Sequence, residues 1–385
     1  MVLVGLAVLS VLVWVYLLLL HGNFWQIHRI IATAPTQPGK TLRIAVVVPA
    51  RDEADVVGRT ITSLLNQAGG HAIHIFLVDD ASSDLTAEVA RAAERDAGKS
   101  ELLTVIEGEP LPAGWSGKLW AVNQGVERAQ VLHPDFFLLT DADIEHAPDS
   151  LETLAAIAQN GNYDLASFMV RLECDTFAER MLIPAFVFFF LKLYPPAWIA
   201  DPRRATAGAA GGSILVRPQA LERAGGIESI RGEVIDDCAL ARRVKQSGGK
   251  VWLGLASETR SIRSYGSFAG IGAMISRGAF NQLRHSFFML LLALAGLTAT
   301  YVLPVVLVFS HRLAPAILGV SALALMILCF LPTVRFYRLS PLWAVVLPAI
   351  ALFYMGATLH SAFRFWTVRG GQWKGRIQDP ARGRG

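Results

Sequence analysis

Cysteine is almost missing from this chain. Cys174, Cys238 and Cys329 are the only three, odd in number and without C-x-x-C spacing. That excludes a disulfide framework and a thiolate zinc site, and makes a reducing compartment the default. Charge is scarce as well: 17% of the residues carry it while 53% are hydrophobic, too apolar a balance for a purely soluble protein of 385 residues. Neither an internal repeat nor a low-complexity tract is present. No lysine or arginine precedes the first apolar run, Val2 to Leu20, and no A-x-A-like site directly follows it, so a cleaved signal peptide is disfavoured. The run has about the ~20 residues a helix needs to cross a bilayer.

What charge there is sits unevenly. From Phe363 onward Arg364, Arg369, Lys374, Arg376, Arg382 and Arg384 face Asp379 alone, a net +5, which leaves −1 for everything before it. A basic tail beside apolar sequence reads as a membrane-surface feature and not as a nucleic-acid site. His28, Arg29, Lys40 and Arg43 follow the first run, so the positive-inside rule places what comes next in the cytoplasm. The expected layout is an anchor over 1–21, a catalytic domain over 40–265, an amphipathic interfacial segment over 266–286, membrane segments over 287–360 and a basic tail over 361–385. Phe287 to Phe309, Leu313 to Val334 and Pro341 to about Ala357 are each apolar enough to cross. Three full crossings there put the tail outside, against the rule, so either one is re-entrant or the tail breaks it. Met181 to Leu191, with Pro184 inside, is too short to span and is either a core helix or an interfacial one, the cluster Phe186, Phe188, Phe189 and Phe190 favouring interfacial.

Between these ends the sequence alternates strand and helix. After a Pro-containing linker over 33–39, Ile44 to Val48 is a strand stopped by Pro49, and Arg51-Asp52-Glu53 opens a helix. Ile73 to Val78 is a second strand ending in Asp79-Asp80, with Asp84 placed to cap the next helix. Leu102 to Ile106, Phe136 to Leu139, Leu165 to Val170 and Ser213 to Val216 are further strands. The pattern predicts an α/β doubly wound, mostly parallel sheet.

The acids fall at the carboxyl ends of these strands, where such sheets bind ligands. Asp141 and Asp143 follow the fourth strand at i, i+2, which in extended backbone aims both side chains the same way. D-x-D alone also fits a surface turn. Paired with the other acids, it suits a cation, and an oxygen-only site points to Mg²⁺ or Mn²⁺. Asp79, Asp80 and Glu53 are placed to hold a nucleoside. Gly114-Trp115-Ser116-Gly117-Lys118 supplies a loop that backbone and ammonium can offer to a phosphate. Gly208 to Gly212 either lets an acceptor approach or is a tight turn. Asp236 and Asp237 open a helix; Asp236 also fits as a mere dipole partner. A cation would neutralise a departing diphosphate while a carboxylate on the opposite side takes a proton from an incoming hydroxyl. That is glycosyl transfer by single displacement, with inversion.

At these residues the chain resembles the family 2 glycosyltransferases, which have the GT-A fold. Val78-Asp79-Asp80-Ala81-Ser82-Ser83-Asp84 is similar to their nucleoside motif and Asp141-Ala142-Asp143 to their metal-binding D-x-D. Asp236-Asp237-Cys238-Ala239-Leu240 stands where they carry Glu-Asp-x-x-Leu. The resemblance implies that Asp237 is the base with Asp236 beside it. It also implies that Pro49, Arg51, Glu53, Asp79, Asp80, Lys118 and Asp141 contact the donor, that Asp141 and Asp143 hold the metal, and that Gly211 and Gly212 border the acceptor. Arg277, counted with Asp237 and Asp236 as catalytic, falls where processive members carry Gln-x-x-Arg-Trp, but the Gln and Trp are absent, which favours single-sugar addition. Gly114 to Ala121, Ile183 to Phe190, Asp201-Pro202-Arg203-Arg204 and Trp373-Lys374-Gly375-Arg376 resemble the bacterial hopene-associated glycosyltransferases. That closer likeness implies a nucleotide-sugar donor such as a UDP-sugar, a hopanoid or related isoprenoid lipid acceptor, and a multi-pass protein of the bacterial cytoplasmic membrane. A polyprenyl phosphate acceptor, an idle nucleotide-binding scaffold and a nucleotidyltransferase are the competing readings.

Overall fold

The structure, a computed structural model, describes residues 2–33 and 40–367, with the backbone of 372–373 and 376–377. The 33–39 linker past Thr33 and most of the basic tail, with Lys374 and Gly375 of its motif, lie outside the described residues. The chain separates into two compact units: Met1–Arg29, Cys174–Ala197 and Ser264–Arg369 form one, and Ile30–Glu173, Trp198–Arg263 and Gly370–Gly385 the other.

The second unit is built on an eight-stranded sheet. Its strands are β1 (Arg43–Ala50), β2 (Ala72–Asp79), β3 (Leu103–Glu107), β4 (Phe136–Leu139), β5 (Ile144–Glu145), β6 (Leu165–Arg171), β7 (Ile214–Val216) and β8 (Val251–Ser261). Their spatial order is β3-β2-β1-β4-β7-β6-β8-β5. The β3-β2-β1-β4 half is parallel, as the alternation predicts. β1 is apolar on both faces because helices cover both, and its seven residues from Ile44 to Ala50 are buried as an unbroken run. The chain winds outward from β1 to β3 and returns to β4, so β1 and β4 flank the topological switch point, the usual ligand crevice. β7 runs antiparallel to β4, pairing Ile214 with Leu139. The residues before β7 therefore lie beside those after β4. β5 runs antiparallel to β8, pairing Ile144 with Ser261, and Ile262 donates its N–H to the Asp143 carbonyl at 2.9 Å. Two segments far apart in sequence thus meet at one end of the sheet.

The other unit is helical. Among the described residues, four helices are long and apolar enough to cross a membrane: Val2–Leu19, Phe177–Ala200, Phe287–Val308 and Leu313–Phe336. Phe177–Ala200 is longer than the eleven-residue run Met181 to Leu191 and corrects the expectation that this segment is too short to span. A capping box between Thr176 and Glu179 starts that helix earlier than the apolar run, and Pro184 does not end it. The last expected crossing is not among the four. Pro341–Ala344 is a 3₁₀ turn, and the helix after it, Leu347–Trp366, carries His360, Ser361 and Arg364. The segment expected to be interfacial contains the helix Phe268–Gln282, which buries Ile271 and Ile275 and leaves Phe268 exposed. It also docks on Leu347–Trp366, through the Ser276 hydroxyl donating to Ala357 O at 3.0 Å and Phe280 N–H donating to Ser361 Oγ at 3.1 Å.

Candidate active site

Lys118 is the hub of the site. Ser116 caps the helix Gly117–Ala129, accepting from Leu119 N–H, and this puts Lys118 in the first turn, directed at the switch point. Gly125 lets that helix lie on the sheet, since a Cβ there would come within 2.5 Å of Val47 Cγ1. The Lys118 ammonium sits 2.8 Å from Asp141 Oδ1 and 3.1 Å from Asp236 Oδ2. Burial alone would lower its pKa, but Asp141 and Asp236 outweigh that and hold it above the ordinary lysine range. Desolvation pushes the Asp141 carboxyl up, with Asp143 adding to the effect and Lys118 opposing it.

Asp237 follows Asp236 at the start of the helix Asp236–Gln246. Its Oδ2 accepts the Gly211 N–H at 3.0 Å and its Oδ1 the Cys238 N–H at 2.7 Å. Desolvation and the neighbouring Asp236 raise its pKa to about 6, against the pull of Lys118 and the two N–H groups. A carboxyl of that strength is suited to gaining and losing a proton near neutral pH. Gly211 lies among all of these: a Cβ there would stand 3.4 Å from Lys118 Nζ, 3.5 Å from Asp141 Oδ2 and 3.8 Å from Asp237 Oδ2. Pro49, Lys118, Asp141, Gly211, Asp236 and Asp237 line one pocket.

Beside it Asp143 meets a residue that sequence reasoning missed. Arg263, two residues past β8, donates from Nε to Asp143 Oδ2 at 2.8 Å and from Nη2 to Glu53 Oε2. Glu53 is 6% exposed, so its carboxylate faces this guanidinium. Asp143 and Glu53 hold the guanidinium above its usual pKa despite the desolvation that would lower it. Asp80 is also enclosed, 2% exposed, with Arg51 Nη1 3.6 Å from its Oδ2. Asp79 Oδ1 accepts the Ser82 N–H at 2.9 Å, shaping the turn after β2. Asp84 does the capping, accepting Thr86 N–H at 3.0 Å one residue further out than a standard cap. Gly212 is packed against Val170 and Ile144 and does not reach the pocket as Gly211 does. Arg277 is exposed on Phe268–Gln282, in the helical unit.

Asp141 and Asp143 form an all-oxygen pair whose charges are balanced by Lys118 and Arg263. No cluster of three or more His, Cys, Asp or Glu that could hold a metal ion occurs among the described residues. By donor chemistry two carboxylates suit a Mg²⁺-like ion that completes its shell with phosphate oxygens and water, and here each is held by a side-chain cation, Asp141 by Lys118 and Asp143 by Arg263.

Fold and site together describe an α/β sheet whose switch point is lined by acids and one lysine. Residues 45–223 match the family model of glycosyl transferase family 2. The chain carries a family 2 glycosyltransferase domain and is an enzyme of that class. A mannosyltransferase from Pyrobaculum calidifontis, solved with GDP-Man and Mn²⁺, is similar over 93% of this chain and 98% of its own, at 17% identity and a TM-score of 0.58. That likeness bears out the GT-A-like fold. Glucosyl-3-phosphoglycerate synthase from Mycobacterium tuberculosis, solved with Mg²⁺ and UDP, matches over 63% of this chain and 82% of its own, at 16% identity and a TM-score of 0.41.

Proposed function

We propose that the protein is an inverting, metal-dependent glycosyltransferase that moves one sugar from a nucleoside-diphosphate sugar to a membrane lipid. The observation that carries this is the gathering of Asp141, Asp236, Asp237, Lys118 and Gly211 around one pocket at the switch point. Asp237, ionised above about pH 6, takes the proton from the acceptor hydroxyl. The hydroxyl oxygen bonds to the anomeric carbon as the bond to the diphosphate breaks on the opposite face. Lys118 faces the charge that develops on the leaving diphosphate. Asp141 and Asp143 would hold the divalent ion, which when bound neutralises the diphosphate. Glu53, Asp79, Asp80, Pro49 and Arg51 form the wall assigned to the nucleoside. Donor and metal classes draw support from the GDP-Man and Mn²⁺ of the similar mannosyltransferase.

The lipid acceptor rests on the hopene-associated resemblance and on the four helices able to cross a bilayer. In this reading the protein is a multi-pass component of the bacterial cytoplasmic membrane, its catalytic unit on the cytoplasmic side. Purified protein is incubated with UDP-glucose or GDP-mannose and either a hopanoid or a polyprenyl phosphate, and products are read by mass spectrometry. A hexosylated hopanoid is the expected product; a hexosyl polyprenyl phosphate alone would move the acceptor to that class.

A further inference from the structure

At the edge of the pocket are two buried polar side chains that the chemistry above leaves unused: Thr140, which lines it, and His146, which does not. Thr140, the last residue before Asp141, is 2% exposed, and His146 is 4% exposed. The Thr140 hydroxyl donates to Gly212 O at 2.7 Å and lies 3.0 Å from His146 Nε2. Threonine has one hydroxyl proton, and it goes to Gly212, so His146 Nε2 carries the proton of this second bond. Burial lowers His146 to about 4, and the neutral ring is what this tautomer requires. The His146 backbone is itself held, its main-chain N–H donating to Ser63 Oγ at 3.0 Å.

A second clamp acts two residues earlier. Ser167 Oγ, fully buried on β6, accepts the Ala210 N–H at 2.9 Å and donates to Ala210 O at 3.1 Å. Cys238 Sγ donates to Ala209 O at 3.5 Å. Ala209, Ala210 and Gly212 are thus each fixed by a buried side chain from a different element. Gly211, between them, is the residue whose N–H reaches Asp237 Oδ2. Glycine has the widest backbone freedom of any residue, so its orientation comes from what grips it on either side.

We infer that Thr140 and His146 are positioning residues for the reaction: their hydrogen-bonded chain to Gly212 holds the 209–212 loop so that the Gly211 N–H meets the Asp237 carboxylate. The inference rests on Asp237 being the base. Buried polar chains of this kind rigidify when every member is satisfied and loosen together when one is removed.

The test compares Thr140→Val, which keeps the shape and loses the hydroxyl, with Thr140→Ser, which keeps the hydroxyl. Full-length proteins in detergent are followed by amide hydrogen exchange in the peptide covering 206–213, and by turnover of GDP-mannose or UDP-glucose with hopanoid. Thr140→Val is expected to speed exchange and to lower kcat by about tenfold each, the scale of one hydrogen bond, with donor KM within about twofold. Thr140→Ser should stay within about twofold of wild type, and His146→Phe should fall on the valine side. Exchange in Thr140→Val equal to wild type, or serine as impaired as valine, would overturn the inference. Exchange reads the loop without turnover, so a failed loop is distinguishable from a failed base, which Asp237→Asn reports.

Discussion

Arg263→Gln removes the one guanidinium shared by Glu53 and Asp143. Those carboxylates have side chains only 8% and 15% exposed, so each loses this cation while buried. Removing one partner of a buried pair costs about 3–5 kcal/mol. The Arg263 side chain is 31% exposed, and solvent screening brings the expectation to roughly 2–3 kcal/mol. For a domain of this size that lowers the melting temperature by about 4–12 °C. The assay is thermal unfolding of purified protein in detergent with EDTA, then with millimolar Mn²⁺. In the glutamine variant Asp143 is open to a divalent cation without competition, so Mn²⁺ should restore most of the lost stability while moving wild type less. Equal melting temperatures in EDTA, or identical Mn²⁺ responses, would refute the view that Arg263 is the resident counter-ion of this carboxylate pair.

Gly211→Ala places a methyl group among Lys118, Asp141 and Asp237 at ordinary contact distance, so the fold should survive while turnover drops about tenfold or more through misplaced reactants; circular dichroism and initial rates check both halves. Asp237 must be ionised to act as base, so with its carboxyl near 6 the pH profile of kcat/KM should fall on the acid side through that value. Lys118 pulls the Asp237 carboxyl down, so Lys118→Met should move that acid limb to higher pH. Chelation by EDTA should abolish turnover, and Mg²⁺ or Mn²⁺ should restore it.

Most of the first half of the sheet was legible because each strand is a short apolar run ended by acids. The acids are local marks, and Asp141, Asp236, Asp237 and Lys118 do converge. Arg263 left no such mark. It follows β8, whose second half, Ser257 to Ser261, is polar and hides the strand, and it reaches Asp143 only because β5 pairs with β8 across 120 residues of sequence. Thr140, His146 and Ser167 were equally silent, since a buried hydroxyl or imidazole looks in sequence like any polar residue near a strand end. The helix Phe177–Ala200 was underestimated because Glu179 and Arg180 break its apolar pattern at the start. Glu179 is buried all the same, accepting N–H groups from Tyr265 at 2.8 Å and Gly266 at 3.0 Å.

The most direct measurement is Asp237→Asn assayed for single-turnover sugar transfer and, separately, for binding of the nucleotide sugar. Loss of roughly 10²–10⁴-fold in transfer with donor affinity nearly unchanged is what a general base requires. Transfer at the wild-type rate would show that the proton leaves the acceptor by another group and that this pocket is not where the chemistry occurs.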